Sequence, residues 1–255
     1  SVGVVTINLP RIAYLSQTPE EFYERLDKMM DIAARSLKTK RTVITRLMDA
    51  GLYPYTKHYL GTFDNHFSTI GLIGMNEVGL NAKWLRKDLT HPETQAFAQD
   101  VLNHMRERLS DYQEMYGDLY NLEATPAEST TYRLAKHDVE LYPDIITAAK
   151  KPGDTPYYTN SSHLPVGYTA DIFEALAIQD DLQTLYTSGT VFHAFLGEKL
   201  PEVYRTMAIS PASTSPAPPA ASRPRSGAGS PVTTVRFRTG MTARHRSTKT
   251  VNFMM

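Results

Sequence analysis

Short apolar, β-branched runs alternate along this chain with long stretches of helical periodicity, and that alternation constrains the fold more than any other feature. Residues 2–9 form a Val/Ile-rich run closed by Pro10 and read as a buried strand. Thr18-Pro19-Glu20-Glu21 then opens a helix, with a Thr N-cap, Pro at the first helical position and Glu at the third. Phe22, Leu26, Met29, Ala33 and Leu37 recur behind it at helical spacing, and residues 42–50 predict a second helix closed by Gly51. Residues 68–75, with two glycines among apolar neighbours, predict a core strand that another group approaches closely. Thr90-His91-Pro92-Glu93 fits a further capping box, and Phe97, Val101, Met105, Leu109 and Tyr112 stripe a long helix that ends near Gly117. A strand at 119–124, helices at about 126–136 and 171–185, and a strand at 190–196 complete the series. The predicted class is α/β, with an α+β domain as the alternative.

The charge distribution divides the chain. The formal net charge is zero, but eight of the 27 basic residues and none of the 27 acidic ones follow Glu202. The preceding body therefore carries a net charge of −8, which gives no sign of a nucleic-acid surface. Residues 206–231 are mostly Ala, Ser, Pro and Gly, and the remainder is basic without periodicity. Such a segment buries too little surface to offset its ordering entropy, so residues 201–255 are expected to be disordered. No cysteine is present, which excludes disulfides and thiolate metal sites within the chain, and no apolar run approaches the length of a membrane helix. No secretory signal is present, so the cytoplasm is the expected compartment. The missing initial Met predicts a true N-terminus upstream.

The residues with chemical potential gather at strand ends. Thr125-Pro126-Ala127-Glu128-Ser129-Thr130-Thr131 lies at a strand-to-helix junction. The free N–H groups of a first helical turn, the positive end of the helix dipole and three hydroxyls would hold an anion there. On spacing alone a plain capping box is the commoner reading of the same string, since the chain has two others. Tyr158-Thr159-Asn160-Ser161-Ser162-His163 is a polar loop that could hydrogen-bond a ribose or base, although turns use the same residues. Asn65-His66 and Asn76-Glu77 flank the 68–75 strand, where a surface turn is the commoner outcome. His193 reads as a core histidine, and no metal-ligand spacing, P-loop or nucleophile elbow occurs.

Five stretches, in order, resemble the catalytic subunit of anaerobic (class III, glycyl-radical) ribonucleotide reductases. They are Gly3-Val4-Val5-Thr6-Ile7-Asn8-Leu9-Pro10-Arg11, the 68–77 segment, Ala124-Thr125-Pro126-Ala127-Glu128-Ser129, Tyr157-Tyr158-Thr159-Asn160-Ser161 and Gly189-Thr190-Val191-Phe192-His193. The resemblance covers about residues 1–200. It implies part of a ten-stranded α/β barrel in which a glycyl radical and a finger-loop thiyl radical reduce ribonucleoside triphosphates to deoxyribonucleotides. It casts Thr125, Ala127, Glu128, Ser129 and Thr130 as the phosphate-holding helix start. Asn8 would reach the ribose, and Asn160 joins this substrate-binding set. For the intact enzyme it implies a structural zinc, an allosteric ATP or dNTP, a radical-SAM iron–sulfur activase and a homodimer, with no nucleic acid or membrane partner.

The finger-loop cysteine, the four-cysteine zinc site and the radical glycine loop are not in this sequence, so no catalytic residue and no metal ligand is assigned and the chain alone is expected to be inactive. The tail offers a reason. Read from the third base of each codon, residues 206–208 are compatible with His-Gly-Tyr, and residues 211–213 with Gly-Glu-His. Residues 216–221 then allow Cys-Pro-x-Cys-Gly, residues 228–234 Arg-Val-x-Gly-Tyr-Tyr-Arg, and residues 235–242 Pro-Val-Gln-Asn-Trp-Asn-Asp-Gly. These are the family's zinc and radical-loop patterns, which predicts a one-base deletion near the codons for Thr206 and Met207. The spacing predicts a second lesion near Pro201. A non-catalytic nucleotide-binding remnant and a different glycyl-radical enzyme are the alternatives.

Overall fold

The computed structural model describes residues 1–125, 127–149, 151, 153–165, 167–169, 171–195, 232–237 and 249–254. Residues 1–190 form one compact unit and residues 191–255 a second.

The first unit is built on three parallel strands, β1 (Gly3–Asn8), β2 (Ser68–Ile73) and β3 (Tyr120–Glu123), in the order β1-β2-β3. Parallel neighbours need long crossovers. Here these carry α1 (Leu9–Leu15), α2 (Pro19–Asp49) and α3 (Pro54–Leu60) between β1 and β2. Between β2 and β3 lie α4 (Met75–Asn81) and α5 (Pro92–Tyr116). The helices α6 (Glu128–Leu141) and α7 (Ile172–Thr184) follow. The predicted α/β class is what the chain adopts.

The strands' two-residue period sorts their faces. Val5 and Ile7, Ile70 and Leu72, and Tyr120 and Leu122 join one core with Phe22, Leu26, Met30 and Leu37 of α2 and Val101, Leu102, Met105 and Leu109 of α5. Helix α2 packs on β1 and β2, while α5 packs on β3 and against α2, so both long crossovers cover one face. The opposite face is polar: Thr6, Asn8, Thr69, Asn121 and Glu123 alternate with Gly71 and Ile73. On that face the Thr69 hydroxyl and the Asn121 side-chain carbonyl are buried without a hydrogen-bond partner among the described residues.

Several local expectations are corrected. The stretch expected as two helices is one, α2, which runs unbroken through Asp49 before Gly51 takes a positive φ. Its buried stripe uses Met30 and Ala34, and Met29 is exposed. The Thr18 hydroxyl caps α2 by accepting from the Glu21 N–H, but the Glu21 carboxylate reaches back to the Gln17 N–H, one residue beyond the usual partner. His91 rather than Thr90 is the N-cap of α5, without a side-chain cap, because the Thr90 hydroxyl is bonded to Asp88. The helix ends as expected at Gly117, in the left-handed conformation. No helix among the described residues is long and apolar enough to cross a membrane.

The second unit holds strands β4 (Thr190–Phe195), β5 (Val232–Phe237) and β6 (Lys249–Met254), in the order β4-β6-β5. β5 and β6 are antiparallel, with Val232 opposite Met254 and Phe237 opposite Lys249. Within 201–255 these two strands are the described residues.

Candidate functional site

In parallel α/β sheets, ligands are held beyond the carboxyl ends of the strands. Here those ends carry Asn8, Ile73 and the 123–125 turn. β3 stops pairing with β2 at Gly71, and Asn160 takes the vacated place by forming an antiparallel bridge with Ile73. Asn8, paired with Ile73 on the other side, completes a lateral row Asn8–Ile73–Asn160. The strand spacing sets the two carboxamides about 10 Å apart at the backbone.

Helix α6 lies across this row, with Ala135 packed with Ile73 and Tyr158 in a small apolar cluster. At its amino end no side chain caps it, Ala127 being the N-cap residue. The Ala127 N–H donates to the Asn160 carboxamide oxygen at 3.2 Å, and the Ser161 hydroxyl donates to the Thr125 carbonyl at 3.2 Å. Thr125 is seated against β2 because Gly71 has no side chain: a Cβ there would overlap the Thr125 hydroxyl. This is the close approach that the glycine predicted. Ser129 is exposed and Thr130 half-buried on the first turn. Thr125, Ala127, Glu128, Ser129, Thr130 and Asn160 are thus brought to one end of α6.

Asn8 sits further along. Its amide N–H donates to Asp138 at 2.8 Å, and its oxygen accepts from the Arg11 N–H at 3.4 Å, capping α1. Asp138 lies ten residues past Glu128, about 15 Å along the helix at 1.5 Å per residue. Asn8 and the Thr125–Thr130 group therefore stand at two stations rather than in one cluster.

Two buried carboxylates hold these parts. Asp138 is fully buried and accepts from Asn8, from Arg11 (Nε at 2.6 Å, with Nη2 paired to the same oxygen) and from the Tyr158 hydroxyl at 2.7 Å. Burial, and then the bond to Asp138, push the Tyr158 phenol far above its ordinary value. Glu77 is also fully buried. It accepts from the Asn76 amide at 2.9 Å, the Thr159 N–H at 2.9 Å and the Thr159 hydroxyl at 2.8 Å. Burial raises its pKa against the opposing pull of those donors. The Thr159 and Ser161 carbonyls accept from the Gly74 and Met75 N–H groups, so the 158–161 segment is pinned along its length.

Asn76 and Glu77 are therefore not the surface turn that frequency favours. Asn65 and His66 lie before β2, at the opposite end of the sheet from Asn8, where the His66 carbonyl accepts from Arg41. The His193 side chain lies outside the described residues. Sequence reasoning missed Arg11 and Asp138, and had Tyr158 only as part of the polar loop 158–163. Only Asp138 carried a signal, as an acid on the buried side of an amphipathic helix.

Residues 1–215 match the model of the family described as anaerobic ribonucleoside-triphosphate reductase. The enzyme of that name from enterobacteria phage T4 is 27% identical over 215 residues, spanning 77% of this chain and 33% of that protein. The one from Haemophilus influenzae is 28% identical over 209 residues, spanning 75% and 28%. The crystal structure of the anaerobic ribonucleotide reductase from Thermotoga maritima with glycerol in the active site is 23% identical, with a TM-score of 0.64, over 80% of this chain and 33% of that one. The same enzyme in complex with dATP and CTP superposes with a TM-score of 0.63 at 23% identity, over 77% and 32%. The chain spans about a third of the length of these relatives.

Proposed function

Because this chain belongs to the anaerobic ribonucleoside-triphosphate reductase family, we propose that it forms the nucleotide-holding part of that enzyme's catalytic barrel. The observation that carries this is the amino end of α6. Its N-cap residue, Ala127, makes no side-chain cap bond, and Asn160 and Ser161 hold the 125–127 turn at the carboxyl ends of the strands. A triphosphate there meets the N–H groups of the first helical turn, the positive end of the helix dipole and the hydroxyls of Ser129 and Thr130. The ribose then extends along α6 toward Asn8, whose carboxamide keeps one donor and one acceptor position open.

The family reading extends to the whole enzyme: reduction of ribonucleoside triphosphates in the cytoplasm by a ten-stranded barrel. That enzyme would be a homodimer, switched on by a radical-SAM activase and regulated by ATP or dNTPs. These residues do not house its radical or zinc chemistry. The sequence has no cysteine, so neither a thiyl radical nor a four-thiolate zinc site fits here, and no chemical step is assigned to the chain. Its own residues bind and orient.

Calorimetric titration with CTP and with inorganic tripolyphosphate tests the proposal. Both ligands should bind, and tripolyphosphate should compete with CTP. Absence of heat with either ligand, in folded protein, would sink it.

A further inference from the structure

Asp138 accounts for more of the site's geometry than any group at the phosphate end. Its carboxylate is fully buried, and four donors converge on it from two distant parts of the chain: Asn8 and Arg11 after β1, and Tyr158 beside β2. A buried anion is costly to desolvate, and such groups are retained where they fix one arrangement among near-equals. The near-equal here is the Asn8 carboxamide. Its oxygen and nitrogen are almost isosteric, and nothing in its shape decides which faces a ligand. Asp138 accepts only, so it fixes the nitrogen toward itself, and the Arg11 N–H on the other side fixes the oxygen.

We propose that Asp138 is a positioning residue. By locking the orientation of Asn8 it would let the site distinguish a ribose from a 2′-deoxyribose. This rests on the nucleotide-holding function proposed above. A vicinal diol offers a donor and an acceptor in fixed order, and an amide answers it only when its own order is fixed. A deoxy sugar lacks one of the two partners. The distinction is then worth about one hydrogen bond, roughly a three- to tenfold preference. Tyr158 donates to the same carboxylate oxygen as Asn8 and anchors the 158–161 segment to it.

The test is titration of the full chain with CTP, dCTP and inorganic tripolyphosphate, with the fold of each variant checked by circular dichroism. The wild type should prefer CTP to dCTP roughly three- to tenfold. In Asp138→Asn, whose amide can donate as well as accept, the ratio should fall to near one while tripolyphosphate affinity changes little. Should that variant not fold, Asp138→Glu carries the test, because it keeps the charge and displaces the oxygens by a methylene. A folded variant at 138 that retains the preference, or loses CTP and tripolyphosphate binding in parallel, would overturn the proposal. So would a wild type that binds CTP and dCTP equally, which leaves phosphate binding standing. A wild type that binds neither CTP nor tripolyphosphate removes the nucleotide-holding function and this proposal with it.

Discussion

At the scale of single residues, the site rests on two acids that water does not reach, and they differ in what surrounds them. Asp138 faces a guanidinium, whereas Glu77 is met by an amide, a backbone N–H and a hydroxyl, with no cation bonded to it. Burial therefore dominates at Glu77 and raises its pKa above 4.5. An acid raised in this way holds its proton more tightly folded than unfolded. Its stabilising contribution is complete below about 4.5 and is lost as pH rises through the raised value. The wild type should therefore lose stability relative to Glu77→Gln as pH rises above about 4.5. Urea midpoints of the two proteins across that range provide the check, and a constant difference would refute it. These roles were only half legible in the sequence. Gly71 announced a close approach, and Thr125 supplies it. Asn76 and Glu77 were visible at a strand end, but a string of letters does not say whether a turn is covered. Asp138 depends on Asn8 and Arg11, more than 120 residues away, and no local pattern encodes that pairing.

Elements were far more legible, because their signals are local. The strand–helix alternation gave the α/β class, Gly117 the end of α5, and Thr18-Pro19 the start of α2. The failures share a cause. The break expected before residue 42 is absent because Arg41, mid-helix, is itself buried. Its guanidinium donates to the carbonyls of Phe63 and His66 and to Ser68 at the start of β2, so a charged residue sits where periodicity expected an interruption. The helix α3, with no buried residue, lacks the apolar stripe that periodicity detects. The N-cap of α2 gives a prediction at this scale. Thr18→Ala removes the hydroxyl that accepts from Glu21 and should cost about 1 kcal/mol, while Thr18→Ser keeps most of it. Urea denaturation measures both, and equal losses would show that the cap bond contributes little.

For the molecule as a whole, the body and the tail call for different tests. The family match runs to residue 215, past the boundary drawn near residue 200 from composition, and into the Ala/Ser/Pro-rich stretch. The out-of-frame origin of the tail is a proposal about the gene, and nucleotide sequencing of the locus decides it. The shifted frame should open into the cysteine and Arg-Val-x-Gly-Tyr patterns near the codons for Thr206 and Met207. A locus without them in any frame would refute the proposal and favour a nucleotide-binding remnant. The Asp138 junction also sets an order in time. Asn8 and its partner are 130 residues apart. At a ribosomal rate of about 5–20 residues per second, Asn8 and Arg11 emerge roughly 6–25 seconds before the carboxylate that orients them. Through that interval the nascent β1–α1 turn carries an unmatched guanidinium, and the bond from Asn160 to the amino end of α6 can form only later still.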